Sequence, residues 1–233
     1  FPIFGGLFYI FFGGSTTGRR TKEKLRPILQ YTEAALAPVG GCLDSIFSED
    51  VDAGNQSLYI QNSSLYPPYR NTRVEFLPSG EAKFERLMEE LQKAEHYIFL
   101  EYFIIKEGFM WKSILEVLKK KAAAGVDVRV IYDDFGCLAA LPYQYDRLLE
   151  SMGIKCGIFH PVLPVLSARL NNRDHRKIVV IDGHTAFTGG INLADEYINR
   201  IEYYGHWKDA AIMIQGEAVV SRTVMFFCMW NYI

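Results

Sequence analysis

The chain has 233 residues, of which 49% are hydrophobic and 22% charged, and its formal net charge is -2. This composition is sufficient for one hydrophobic core and excludes an intrinsically disordered chain. The near-neutral charge argues against a nucleic-acid-binding protein, which usually carries a strongly basic domain. The four cysteines lie far apart without metal-binding spacing, as is usual in a reducing compartment.

The first 18 residues predict a membrane anchor. Residues 1–14 are apolar apart from glycines, Pro2 and Tyr9. As a helix they would rise about 21 Å, less than a hydrocarbon core of about 30 Å. We therefore interpret residues 1–18 as the end of a transmembrane or membrane-anchoring helix in a truncated chain. Arg19–Arg26 carries five basic residues and one acidic residue, the excess expected on the cytoplasmic side of a membrane. The alternative is an N-terminus buried in the protein's own core.

Residues 19–72 predict a basic juxtamembrane segment followed by a linker. Leu25–Leu36 is compatible with a helix, which Gly40-Gly41 would end. Ser45–Arg70 is polar and contains Pro67-Pro68, so irregular structure is predicted there. We assign no chemistry to this segment.

From residue 73 onwards, strand patterns alternate with helical patterns. Runs rich in β-branched and aromatic residues predict strands at Val74–Leu77, His96–Ile105, Val126–Tyr132, Ile154–Phe159 and Ala210–Gln215. Helices are predicted over about fifteen residues ending at Ala94, over Met110–Ala124, over Pro142–Met152 and from Gly216 onwards. This alternation predicts an α/β fold in which helices cover a sheet.

The segment from Asn171 to Glu196 carries the candidate chemistry. His175 and Lys177 are two residues apart, so on an extended strand their side chains point to the same face. Ile178–Ile181 is an unbroken run of β-branched residues, which predicts a strand buried on both faces. A buried strand that opens with an imidazole and an ammonium group is a candidate catalytic element.

The chain after this strand adds groups that suit an anion. Asp182-Gly183 predicts a turn, Thr185–Thr188 a short return strand, and Gly189-Gly190-Ile191-Asn192 closes the unit. A nucleophile or general base, a fixed cation, backbone N–H groups and an amide donor suit a phosphate. A lone histidine at a strand end more often serves packing, and it is the complete spacing that indicates function.

This spacing, His-x-Lys, four residues, Asp, six residues, Gly-Gly-x-Asn, resembles the HKD motif of the phospholipase D superfamily. The surrounding chain is similar to bacterial cardiolipin synthases. The matching segments are FPIFGGLFYIFFGG at the start, EYFI at Glu101, KKAAAGVDVRVIYDDFG from Lys120, RLNNRDHRKIVVIDG from Arg169, FTGGINLADEY from Phe187 and HWKDAAIMIQGEAV from His206. Gly190 is typical of cardiolipin synthases, whereas nuclease-type members often carry serine there. Met229 departs from the family pattern, which has an acidic residue at this position.

The resemblance implies a first phospholipase D-like domain over residues 73–233, a half with a mixed β-sheet flanked by helices, and a second domain that is absent. It implies a cardiolipin synthase that transfers a phosphatidyl group between two phosphatidylglycerol molecules through a phosphohistidine and releases glycerol. The family needs no metal or other cofactor for this chemistry. Because such a site uses two motifs, this chain would carry one half of it. Whether His175 is the nucleophile or the general acid stays open.

The resemblance also implies roles for the other motif residues. Lys177 would neutralise the substrate phosphate, and Asn192 and the backbone of Gly189 and Gly190 would donate hydrogen bonds to it. Asp209 would accept a hydrogen bond from the motif histidine and fix its tautomer.

Three further polar positions have competing interpretations. Asp182 completes the catalytic motif, but its odd spacing from His175 puts it on the other face of an ideal strand, so we assign it to stabilising the hairpin. Asp133-Asp134 lacks a partner with metal-binding spacing, which favours turn and helix-capping roles. Glu101 and Tyr102 either approach the site from a neighbouring strand or pack in the core.

The implied partners are phosphatidylglycerol and other membrane phospholipids, and the missing C-terminal phospholipase D-like half, with no nucleic acid. The implied location is the cell membrane, with the catalytic domain on the cytoplasmic side. Two alternatives remain. One is a single-motif phosphodiesterase or nuclease that is active as a homodimer. The other is a non-catalytic membrane-bound module that keeps a phosphate pocket.

Overall fold

The computed structural model describes residues 4–6, 9, 19–36, 42–162, 173–203 and 205–233, and for residues 19–21 the backbone alone. The predicted membrane-anchoring helix over residues 1–18 lies largely outside these residues, and the predicted break at Gly40-Gly41 lies entirely outside them. Among the helices that are described, none is long and apolar enough to cross a bilayer.

A mixed β-sheet is the centre of the described fold. Its strands are β1 (Thr72–Leu77), β2 (Tyr97–Tyr102), β3 (Asp127–Asp133), β4 (Lys155–Phe159), β5 (Lys177–Ile181), β6 (Thr185–Gly189) and β7 (Ala211–Gly216). Their spatial order is β1-β7-β6-β5-β2-β3-β4. Strands β2, β3 and β4 run parallel, whereas β5 is antiparallel to β2, and β6, β7 and β1 continue antiparallel.

Helices cover both faces of this sheet. They are α1 (Arg19–Leu36), α2 (Leu43–Glu49), α3 (Val51–Ser64), α4 (Gly80–Lys93), α5 (Phe109–Ala123), α6 (Asp134–Cys137), α7 (Tyr145–Ser151), α8 (Val219–Tyr232) and the 3-10 helix η1 (Asp195–Ile198). Helices α4 and α5 pack on one face and α8 on the other. Helix α1 lies along α8, where Thr32 Oγ1 is 2.9 Å from Cys228 Sγ.

The sheet divides the apolar interior into two cores. On one side, Leu100 and Val179 pack with Trp111 of α5. On the other side, Phe99 stacks on Phe226 of α8 with ring centroids 4.7 Å apart. Because alternate residues of a strand point to opposite faces, a central strand in such a sheet must be apolar throughout. The prediction that Ile178–Ile181 is buried on both faces is confirmed.

The prediction of irregular structure over Ser45–Arg70 is wrong, because α2 and α3 occupy most of this segment. Helix α3 begins where the Asp50 side chain accepts hydrogen bonds from the amides of Asp52 and Ala53, which satisfies two N–H groups of the first turn. Its buried face is Gly54 alone. Without an apolar stripe, the helix carries no periodic signal in the sequence.

Some predicted boundaries shift for reasons that the backbone makes plain. The helix predicted from Pro142 begins at Tyr145, because Gln144 has a left-handed backbone with φ of 59°. Helix α5 begins at Phe109, where no neighbouring side chain caps it. Asp195 of η1 instead accepts hydrogen bonds from the amides of Phe109 and Met110, at 2.9 and 2.8 Å.

Candidate active site

His175 and Lys177 lie at one end of the sheet, where β2 and β3 finish and β5 begins. Lys177, the first residue of β5, is paired in register with Tyr102, the last residue of β2. His175 therefore stands just beyond the sheet, beside the carboxyl ends of two parallel strands.

The side chains of His175 and Lys177 contact each other. Lys177 Nζ lies 3.3 Å from His175 Nδ1 and donates a hydrogen bond to the His175 carbonyl oxygen at 2.7 Å. The Phe103 ring packs against the imidazole, with 4.8 Å between ring centroids. His175 is exposed, whereas Lys177 is only 5% exposed. The structure thus brings together the imidazole and the ammonium group that the sequence places on one strand face.

Lys177 is a cation in an unfavourable place. Burial lowers its pKa to about 8, and the carboxylates of Asp174 and Asp209 oppose this shift. A buried ammonium is stabilised by a nearby negative charge. A phosphate bound beside Lys177 would supply that charge.

The two glycines after β6 are required by a close approach of the chain before β7. A Cβ at Gly189 would lie 2.5 Å from the Ala210 carbonyl oxygen, and a Cβ at Gly190 would lie 2.2 Å from Asp209 Oδ1. The Gly190 N–H donates to the Ala210 carbonyl at 3.1 Å. The structure therefore gives this N–H a different partner from the phosphate that was expected.

Asn192 is buried and links two elements of the site. Its Oδ1 accepts a hydrogen bond from the Ile104 amide at 3.1 Å, and its Nδ2 donates to Tyr197 Oη at 2.7 Å. An amide nitrogen carries two donors. One N–H of Asn192 is used by Tyr197 and fixes the side chain in place. That the other N–H donates to a phosphate stays a prediction.

Asp209 lies at the site but does not meet the expected partner. Its Oδ1 accepts a hydrogen bond from the Ala210 amide at 2.7 Å, and its carboxylate packs against Gly190. The expected hydrogen bond between Asp209 and His175 is not formed in the part of the chain that the structure describes. The carboxylate instead acts on the buried lysines, raising the pKa values of Lys177 and Lys83 against the effect of burial.

The family described as cardiolipin synthase, PLD-like domain, matches residues 87–226, which include every motif residue. The chain belongs to this family. The resemblance to cardiolipin synthases of the phospholipase D superfamily is therefore confirmed.

Relatives in the same family extend the match over the whole chain. The cardiolipin synthase of Geobacillus thermodenitrificans is 36% identical over 100% of this chain and 46% of its own length. An uncharacterized protein of Streptococcus mutans is 44% identical over 99% of this chain and 50% of its own. The chain spans about half the length of the curated relatives that it matches.

A solved structure supports the fold of this phospholipase D-like domain. The phosphatidylserine synthase of Haemophilus influenzae superposes with a TM-score of 0.52 at 19% identity, covering 66% of this chain and 35% of the synthase. At this identity the likeness concerns the fold alone. The predicted α/β fold, with a mixed sheet flanked by helices, is confirmed.

Within the domain, Asp182 joins the β5–β6 hairpin to the start of β2, at the opposite end of β5 from His175. Its carboxylate accepts hydrogen bonds from the amides of Glu95, His96 and Tyr97, at 2.7, 2.8 and 2.7 Å. Burial opposes ionisation, but these three amides hold the pKa of Asp182 below its ordinary value. The acidic residue of the motif thus has the position expected of a hairpin-stabilising group.

Asp133, at the end of β3, holds the chain that leads into His175. Its Oδ1 caps α6 by accepting from the amides of Phe135 and Gly136, as the turn and capping interpretation requires. Its Oδ2 accepts from the Asp174 amide at 2.9 Å. This second role was missed, because nothing in the sequence shows that residue 174 returns to the end of β3.

Glu101 lies behind the histidine, on the opposite face of β2 from Tyr102. Its side chain is fully buried, and Arg176 Nη2 lies 2.6 Å from Oε1 as an ion pair without hydrogen-bond geometry. Arg176 also contacts Asp174 Oδ1 through Nε at 3.1 Å. Burial raises the pKa of Glu101 well above its ordinary value, Arg176 opposes the shift, and Asp174 adds to it. Glu101 therefore packs beneath the site and does not enter it.

We expect Glu101→Gln to raise the melting temperature at pH 7 and to leave it unchanged near pH 4. The folded pKa of Glu101 lies above its unfolded value, so folding takes up a proton in this range and the wild type loses stability as pH rises. Glutamine removes that loss, and about 1 kcal/mol would shift the midpoint by about 2–4 °C. Thermal unfolding across this pH range, with the exposed Glu107→Gln as control, measures the effect. A melting temperature of Glu101→Gln that is equal to or below that of the wild type at pH 7 would contradict this prediction.

Lys83 is the site residue that sequence reasoning missed. It lies on α4 and is 2% exposed, with Nζ 2.8 Å from Tyr102 Oη. Its spacing of four from Leu87 and eight from Leu91 places a lysine in the apolar row of an amphipathic helix. A lysine in an otherwise apolar row of the helix was therefore the sequence signal that could have identified Lys83.

In the described parts of the chain, no group of three or more histidine, cysteine, aspartate or glutamate side chains is arranged to hold a metal ion. The adjacent pair Asp133 and Asp134 is occupied by backbone amides, including that of Val162 on Asp134 Oδ2.

Proposed function

We propose that this chain is one half of a cardiolipin synthase, which transfers a phosphatidyl group from one phosphatidylglycerol to a hydroxyl of a second and releases glycerol. The observation that carries the proposal is the contact between His175 and the buried Lys177 in a chain of the cardiolipin synthase family. An exposed imidazole can reach a lipid phosphate, and the lysine behind it favours the negative charge that the phosphate brings.

The proposed chemistry has two displacements at phosphorus. In the first, an imidazole nitrogen forms a P–N bond while the P–O bond to glycerol breaks, and a second imidazole gives its proton to the departing oxygen. In the second displacement, a hydroxyl of another phosphatidylglycerol gives its proton to the second imidazole. The hydroxyl oxygen then forms a bond to phosphorus while the P–N bond to the first imidazole breaks. His175 is one of the two imidazoles.

We propose that the rest of the protein supplies the other imidazole. The chain spans about half the length of its curated relatives, and the described residues contain one HKD motif. One histidine cannot act as nucleophile and as acid on opposite sides of the phosphorus at the same time. Residues 73–233 would then be the first of two phospholipase D-like domains.

Membrane attachment belongs to the same proposal. The apolar residues 1–18 would anchor the protein, Arg19–Arg26 would lie on the cytoplasmic side, and residues 19–72 would connect the anchor to the domain. The substrates are lipids that remain in the bilayer, so an anchored site would meet them without leaving the membrane.

The full-length protein is expected to restore cardiolipin to bacteria from which their own cardiolipin synthases have been removed. Lipid extracts are compared by mass spectrometry, with an empty vector as control and membrane fractionation to check expression. Cells that contain the protein in their membranes and make no cardiolipin would refute the proposed function. Nuclease activity of the purified protein in the same preparation would favour the homodimeric phosphodiesterase instead.

A further inference from the structure

Lys83 is a buried lysine without an ion-pair partner. Its Nζ donates to Tyr102 Oη at 2.8 Å and lies 3.5 Å from the Ile191 carbonyl oxygen. It also lies 4.8 Å from the centroid of the Tyr102 ring. In the described residues, no carboxylate comes within ion-pair distance of it. A lysine is rarely buried in this way unless it is paired.

The position of Lys83 is directly beneath the candidate phosphate site. Tyr102, which accepts its hydrogen bond, is the register partner of Lys177. Ile191, the second acceptor, immediately follows Gly190 in the segment that closes the motif. Lys83 therefore supports both the strand end and the loop that surround the motif lysine.

Lys83 is less favourably placed for a positive charge than Lys177, although burial lowers the pKa of both. Burial lowers its pKa to about 7, Asp209 opposes this shift, and Lys177 adds to it. The pKa of Lys177 is lowered to about 8, with Asp174 and Asp209 opposing. Asp209 therefore acts on both lysines, whereas Asp174, which also acts on Lys177, is paired with Arg176 at 3.1 Å.

The other elements packed around Lys83 bring little further charge. Strand β2 presents Tyr102, whose pKa burial raises far above its ordinary range. Helix η1 presents Tyr197, whose hydroxyl accepts from Asn192. The pKa of Tyr197 is also raised by burial, although Asn192 opposes the shift. Strand β5 contributes Lys177, and the chain before β7 contributes Asp209. An anion bound beside Lys177 would add a negative charge near Lys83 and favour its protonated form.

We propose that Lys83 is a positioning residue of the phosphate site, which takes up a proton when a tetrahedral oxyanion binds beside Lys177 and so strengthens that binding. The proposal rests on the proposed function only in taking this oxyanion to be a substrate phosphate. Lys83 acts from behind the site, through Tyr102, the Ile191 carbonyl and its charge.

The expected pH dependence follows from linkage. A bound anion favours the charged form of each lysine and therefore raises both pKa values. Below the pKa of free Lys83 the ammonium is already present, and binding takes up no proton there. Above it, each binding event must bring a proton from solution, so affinity falls with rising pH. The limit is about tenfold per pH unit for each lysine that is recharged.

The test measures sulfate binding, because sulfate keeps its charge across this pH range. The full-length protein in detergent micelles is titrated by calorimetry between pH 6.5 and 9, in buffers with different heats of protonation, which counts the protons taken up. We expect uptake to rise between pH 7 and 8 in the wild type. We expect Lys83→Met to take up fewer protons, to bind sulfate about tenfold more weakly at pH 7, and to show a shallower pH profile.

A matched control is available on the same helix. Lys93→Met removes a lysine that is exposed and paired with Glu90, and it should leave affinity and proton count unchanged. Lys177→Met should weaken sulfate binding, but the binding that remains should still take up protons near pH 7 through Lys83. This variant tests the proposal even if Lys83→Met fails to fold.

The pH dependence of stability tests the lowered pKa of Lys83 without any bound anion. The folded pKa of Lys83 lies below the unfolded value of 10.5, so the wild type is penalised most at low pH and regains stability as pH rises. The melting temperature of Lys83→Met, relative to wild type, should therefore be higher at pH 6 than at pH 9. An equal change at both pH values would mean that the pKa of Lys83 is not lowered in the folded protein.

The proposal is overturned if wild type does not bind sulfate, if it binds without proton uptake, or if uptake is the same in Lys83→Met. Sulfate binding does not depend on turnover. A protein that shows Lys83-dependent uptake but makes no cardiolipin would overturn the proposed function and leave this role intact.

Discussion

Replacing His175 with alanine is expected to lower cardiolipin formation by the full-length protein by about 10⁴-fold or more. The imidazole is the exposed group of this half that we expect to form a bond to phosphorus or to move a proton. Lys177 lies beneath it and donates a hydrogen bond to the His175 carbonyl oxygen. Alanine leaves that carbonyl in place. The lysine should therefore keep its position, and the loss should concern chemistry more than folding.

The measurement is cardiolipin by mass spectrometry in cells that express each variant at equal membrane levels. His184→Ala is the matched control, because His184 is exposed in the hairpin at the far end of β5. It should retain wild-type activity. Equal cardiolipin in cells with His175→Ala and with wild type would remove His175 from the mechanism.

The 233-residue chain alone is expected to release no glycerol from phosphatidylglycerol as a monomer. In-line displacement needs a nucleophile on one side of the phosphorus and an acid on the other, and general acid–base catalysis is worth about 10²–10⁴-fold in rate. Activity should appear when a separately expressed downstream half is added in detergent micelles. The assay follows glycerol release against protein ratio.

The control for this mixing experiment is the same chain carrying His175→Ala, which should stay inactive after the downstream half is added. If it became active, the downstream half would carry a complete site. Turnover at full-length rates by the chain alone, shown to be monomeric, would mean that a residue assigned here to structure supplies the second proton.

Local pattern was sufficient where a strand is buried on both faces. Ile178–Ile181 reads as apolar throughout, and so does much of Tyr97–Tyr102, because both strands lie between two helical layers. Because Ile178–Ile181 is recognisable as a strand, the sequence also places Lys177 and His175 at its amino-terminal end. The sequence indicated that Asp182 stabilises the hairpin, but its partners, the amides of Glu95 and His96 before β2 and of Tyr97 in β2, could not be named.

Local pattern failed where an element has little to bury. Helix α3 buries Gly54 alone, so its sequence looks like a polar linker. Helix α5 has an apolar face and was predicted to within one residue of its start at Phe109, but the carboxylate that caps it comes from Asp195. A Cβ at Gly108 would lie 2.7 Å from the Asp195 carboxylate carbon, which is why glycine stands there. Such a cap is invisible until the chain has folded.

The sequence by itself determined the family, the α/β layers and the pairing of His175 with Lys177, because each depends on spacing along one strand or on a contiguous motif. Only the tertiary structure decided which polar groups surround that pair. The Gly190 N–H donates to Ala210, one donor of Asn192 goes to Tyr197, and Asp209 accepts from the Ala210 amide. The tertiary structure also brought Lys83 from another helix beneath the site. Hydrogen bonds and burial depend on neighbours distant in the chain, and no spacing rule within a single strand specifies them.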